Sequence, residues 1–127
     1  MKNIGFKERK VSVMNKFIMK RPGEHPIIVE CKDFDDIRRK LIPDDPENGM
    51  VQAVPIMLDF WLLCDEEAKI KNNPPELNII TDMVVGQTIL GNVMIVLEKD
   101  GDLVSIPDTM IPNIMQWLDN QAKEVKM

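Results

Sequence analysis

The chain has 127 residues, 44% of them apolar and 29% charged, with nine Pro, six Gly and no Tyr. This is the profile of one ordinary globular domain, and it excludes a two-domain enzyme. A domain of this size buries about two-thirds of the surface its unfolded chain exposes, so its core needs neither disulfide nor metal. Sixteen basic against 21 acidic side chains give a net charge of −5. The charges are uneven: Lys2, Lys7, Arg9 and Lys10 against Glu8 make residues 1–13 +3, leaving 12 basic and 20 acidic residues, or −8, for the rest. An acidic body lacks the clustered cations that release counterions from a phosphate backbone, so no direct nucleic-acid binding is expected. The acidic residues gather at 44–47 and 65–67 in turn-like contexts rather than in the rows a DNA mimic needs. No apolar stretch follows the basic N-terminus, and the apolar runs fall far short of a membrane span. Cys31 and Cys64 stand without a CxxC pair or neighbouring histidine, as unpaired thiols of a reducing compartment do. A cytoplasmic protein with no membrane association is expected.

Residues 1–13 are basic and weakly patterned, and Met14 offers a second start, so this segment reads as an appendage to a single domain over 14–127. Lys16–Lys20 and Ile27–Glu30 are β-rich runs around Pro22-Gly23, which predicts a hairpin. Asp33 then caps a helix over about 33–42, with Asp35 and Asp36 in its first turn, Arg38, Arg39 and Lys40 in its last, and Phe34, Ile37 and Leu41 as the apolar stripe. Pro43 ends it. Met50–Val54 and Met57–Cys64 read as successive strands with a break at Pro55. The continuous apolar run Phe60–Cys64 predicts a strand covered on both faces. Residues 65–82 hold five acidic residues, three Asn and a Pro pair, and read as a long loop of the kind that carries function. Met83–Gly86 leads into Ile89–Leu97, the strongest strand signal in the chain, and Asp100-Gly101 predicts a hairpin turn into Leu103–Ile106. Gly86 and Gly91 mark a bulge or a tight approach of backbones. The last segment carries Ile111, Ile114, Met115, Leu118 and Val125 at helical spacing, predicting a helix over about 108–125 with Pro112 in its first turn. The fold class is therefore α+β, a mainly antiparallel sheet with two helices.

Several short motifs in this order resemble the family catalogued as domain of unknown function 3846, small proteins of phages, mobile elements and their bacterial hosts. The resemblance covers about residues 14–120 and rests on Pro22-Gly23, Asn48–Val54, Cys64–Lys69, Pro74-Pro75-Glu76-Leu77, Gly86 and Asp100-Gly101-Asp102. The chain departs from the family pattern at Asp65, Ala68 and the Glu76-Leu77 pair. The resemblance implies the fold class and a phage or mobile-element setting, and no activity.

Residues that carry chemistry are sparse. The single histidine, His25, lies in a Pro-flanked turn and reads as a surface residue. Asp65, Glu66 and Glu67 beside Cys64 oppose thiolate formation, the wrong electrostatics for a nucleophile. The acidic residues show no calcium-loop or helical two-carboxylate spacing, and the glycines make no phosphate loop. No catalytic residue, metal site or cofactor is therefore expected, and a non-catalytic binding protein is. The candidate ligand site is the 65–78 loop beside the central strands: Asn72, Asn73 and Asn78 as neutral hydrogen-bonders, Lys69 and Lys71 (or Arg38 and Arg39) for phosphate, and Trp61 or Phe60 as a stacking floor. The ligand expected there is a small polar molecule, such as a nucleotide of host defence. The alternative is a module that binds and inhibits or adapts a host protein through its acidic loops and Trp117, an anchor on the last helix. Ten methionines supply adaptable apolar surface. Small sheets with open edges pair, so a homo-oligomer is expected.

Overall fold

A computed structural model describes residues 14–71, 73–81 and 87–123. The 1–13 appendage, Asn72 and the Met83–Gly86 stretch lie outside the described residues. The Pro22-Gly23 signal makes a hairpin of β1 (Asn15–Lys20) and β2 (Ile27–Cys31). Helix α1 (Phe34–Leu41) follows, and the Asp33 carboxylate accepts from the Asp36 N–H at 2.8 Å, a cap that contributes about 1 kcal/mol. Its stripe Phe34, Ile37 and Leu41 is buried as the spacing predicts.

The next strands are β3 (Val51–Met57) and β4 (Phe60–Asp65), joined by the two-residue turn Leu58-Asp59. The break expected at Pro55 is corrected here: β3 runs through it. β3 is the edge of the sheet, where one side of the backbone needs no partner and a missing N–H is tolerated. The 65–82 segment is also more ordered than a plain loop, because it contains a 3-10 turn at Ala68–Ile70 and strand β5 (Leu77–Thr81). The apolar run Ile89–Leu97 is two strands rather than one, β6 (Gln87–Leu90) and β7 (Val93–Lys99). The chain turns between them at Gly91, whose φ is +80°; a side chain there would also meet the Pro75 ring at 3.1 Å. Asp100 and Gly101, both at positive φ, turn β7 into β8 (Asp102–Val104). Helix α2 (Ile111–Lys123) closes the described chain, with Pro112 in its first turn.

The main sheet has the order β2-β1-β7-β4-β3 and is antiparallel throughout, with β8 pairing β7 beyond the end of β1. Strand alternation places Ile18, Lys20, Leu62, Val93 and Ile95 on one face and Phe17, Met19, Trp61, Leu63 and Met94 on the other. α2 and the separate β5–β6 hairpin cover the first face, and α1 packs on β2 and β4 from the other. β7 and β4 are thus covered on both sides, which is why Val93–Leu97 and Leu62–Cys64 are all buried. The result is a single small α+β domain. Among the described residues no helix is long and apolar enough to cross a membrane.

Candidate functional site

Three polar residues of the 65–78 segment, Asp65, Lys71 and Asn78, are engaged within the fold. Lys71 bonds the carboxylates of both Asp44, at 2.7 Å, and Asp65, which is buried. The hydrogen bond from Lys71 holds Asp44 below the usual carboxylate range. Burial alone would lower the Lys71 ammonium, but its two carboxylate partners win and raise it. This bridge ties the start of the segment to the connector after α1. Asn78 is buried to 2% exposure, and its amide donates to the carbonyls of Lys20 and Gly91, each at 2.8 Å. Its Oδ1 accepts from the buried Lys20 ammonium at 2.6 Å. The buried bonds between Asn78 and Lys20 fasten β5 to β1.

The other expected ligand residues do not converge on them. Trp61 lies on the opposite face of the sheet from Lys20 and its partner Asn78. Asn73 and Lys69 are exposed. Lys69 borders a small cavity of about 70 Å³ with Gln52, Cys64, Glu66 and Thr88, a volume far below that of a nucleotide site. Arg38 is engaged by the Asp35 carboxylate, the Gly49 carbonyl and the Phe34 ring.

The titratable groups make no catalytic set. Burial, with Asp65 adding to it, pushes the Cys64 thiol up to about 12, and burial pushes Cys31 up to about 11. Both are free and inward-facing. His25 is exposed on the hairpin turn, and its Nδ1 lies 3.1 Å from Asp119 Oδ1 of α2, a partner the sequence order did not reveal. Among the described residues no group of three or more His, Cys, Asp or Glu is arranged to hold a metal ion.

A larger opening lies elsewhere. Between α2 and the sheet face beneath it is a half-open cavity of about 430 Å³. The strands contribute Ile56, Met57, Phe60 and Ile95 to it. The helix and its approach contribute Met110, Asn113, Ile114 and Trp117. Asn113 is the one polar residue of this lining. Trp117 is half-buried, because the stripe of α2 seats Ile114 and Leu118 in the core and leaves the indole at the groove wall.

The rim of this groove is apolar and strained. Met57 is 58% and Leu58 90% exposed. Leu58 has φ +48°, a left-handed conformation that costs a non-glycine residue about 1–2 kcal/mol. Two bonds to β7 hold the turn in this shape: the Glu98 N–H donates to the Asp59 carbonyl at 2.9 Å, and Lys99 Nζ to the Asp59 carboxylate at 3.0 Å. Leu58 is thus a large apolar side chain held exposed on a strained turn that Asp59 pins to β7. The sequence reading offers Trp117 as an anchor, places Phe60 in the 65–78 site instead, counts Met57 and Met110 only among adaptable methionines, and does not single out Leu58 or Asn113. The available signal was the apolar pair Met57-Leu58 immediately before an Asp at a turn.

No protein-family model, curated protein or solved structure matches this chain. The resemblance to the 3846 family therefore rests on the short motifs named above.

Proposed function

We propose that this chain is a non-catalytic protein-binding module whose groove between α2 and the β3–β4 hairpin takes an apolar segment of a partner protein, flanked by basic residues. The observation that carries the reading is the 430 Å³ groove, apolar among the described residues except for Asn113 and bordered by Met57, which is 58% exposed. An apolar rim outside the cavity suits a macromolecular partner, since a small molecule is covered by the pocket itself. The basic flanks follow from charge, since residues 14–127 sum to −8. In the phage or mobile-element setting that the resemblance implies, the partner would be a host protein. Capture of a small polar ligand is the weaker reading, because Lys71 and Asn78 are engaged within the fold and the cavity beside Lys69 is only about 70 Å³.

The test is Trp117 fluorescence in a Trp61→Phe background. Titration with a synthetic peptide carrying a Leu/Phe centre and Lys flanks is expected to shift the emission to the blue. The same peptide with Glu flanks should bind at least about tenfold more weakly, and added salt should narrow the gap. Met57→Lys at the rim should weaken both. No response to either peptide would overturn the reading. So would native mass spectrometry that finds a small polar molecule released only on denaturation.

A further inference from the structure

We propose that the outer edge of β2 pairs with the same edge of a second copy, antiparallel about a twofold axis at Val29, so that the two main sheets become one. The two edges of the sheet are built differently. β3 carries Pro55 and a register shift between Pro55 and Met57, both of which discourage pairing. β2 runs in unbroken register against β1 over Ile27–Cys31, and among the described residues no strand lies on its other side. It begins with three β-branched residues, and Ile27 and Ile28, on opposite faces, are 40% and 48% exposed. An edge strand in unbroken register, with an exposed isoleucine on each face, Glu30 as its one charged residue and no lysine or proline within it, is open to pairing.

The strand also selects its own register. A twofold axis normal to the sheet keeps each face continuous, so it must pass beside a residue of the strand. At Glu30 it would set two carboxylates opposite each other, which is destabilising. At Ile28 it would set Glu30 against Pro26 of the second copy, which has no N–H to give. At Val29 all five residues find partners: Ile27 with Cys31, Ile28 with Glu30, and Val29 with itself. Each Glu30 also stands opposite Lys16 of its own β1.

Sedimentation equilibrium of the full chain over a concentration series is expected to give twice the 14.6 kDa chain mass at the upper end. Ile28→Glu, which sets a carboxylate opposite Glu30 of the second copy on both sides of the axis, should weaken the dimer at least about 100-fold, with an unchanged circular dichroism spectrum. Val29→Cys should form an intermolecular disulfide on mild oxidation, since directly opposed Cα atoms lie about 4.5–5.5 Å apart. The unsubstituted chain, whose thiols are buried, should not. The groove variant Met57→Lys should remain a dimer. A monomer at every concentration would overturn the proposal and leave the edge to an extended segment of another protein. A dimer indifferent to Ile28→Glu, or one that Val29→Cys does not cross-link, would overturn it too.

Discussion

Replacing Asn78 by Ala removes three hydrogen bonds at once, and the structure lets the cost be worked out. Two of them satisfy buried backbone carbonyls, of Lys20 and Gly91, and each contributes about 1 kcal/mol. The third accepts from the Lys20 ammonium, which is 2% exposed, and a bond to a buried charge contributes about 1.5–3 kcal/mol. The expected loss is about 3–5 kcal/mol, a large part of the roughly 5–15 kcal/mol that holds a domain of this size together. At about 3–5 °C per kcal/mol, the melting temperature should fall by about 10–20 °C. Urea unfolding followed by tryptophan fluorescence measures the loss directly, with the slope unchanged if only the native state is affected. Asn78→Asp should also destabilise, because it keeps the acceptor for Lys20 but sets an oxygen against two carbonyls. A double-mutant cycle with Lys20→Met isolates the charged bond, and a coupling of about 1.5–3 kcal/mol is expected. A loss below about 1 kcal/mol, or no coupling, would refute the view that this contact fastens the β5–β6 hairpin to the main sheet.

Leu58→Gly should stabilise the fold by about 0.5–1 kcal/mol, since release of the left-handed strain outweighs the greater entropy of an unfolded glycine, and should weaken the probe peptide in the same protein. Thermal melts and the fluorescence titration check the two effects, and a destabilised variant would show that the turn is not strained. At pH 8 neither Cys31 nor Cys64 should react with a disulfide-exchange reagent until the chain is unfolded, when both should. The same two thiols predict an alkaline limit. Their folded values of about 11 and 12 lie above the ordinary 9.0, so the stability they contribute is whole below pH 9 and is lost as the pH rises towards those values. Lys71, also raised, acts in the same direction above its ordinary 10.5. Urea midpoints between pH 7 and 11 measure the slope, and a flat profile would contradict it.

Much of the local structure follows from short stretches of sequence. Asp33 caps α1 because an oxygen at that position can reach the Asp36 N–H, whatever lies elsewhere in the chain. Asp100-Gly101 turns β7 into β8 because few other residue pairs accept two positive φ values. The uninterrupted apolar run of β4 already requires cover on both faces. Where local pattern misleads, a distant contact is the reason. Pro55 ends no strand because β3 is an edge, and the order of the sheet decides that. The run from Ile89 to Leu97 divides at Gly91, where φ is +80° and the neighbouring Pro75 ring leaves little room for a side chain.

The candidate site shows the same division at longer range. Composition and periodicity determine a single acidic α+β domain and mark Trp117 as a residue at the edge of a helical stripe. They do not determine that Lys20 meets Asn78, that Lys71 joins Asp44 to Asp65, or that Met57 and Trp117 line the two sides of one groove. Each of those meetings depends on strand order and register. A chain records hydrophobic period and turn chemistry residue by residue, but which distant side chains meet is decided only when the whole core packs.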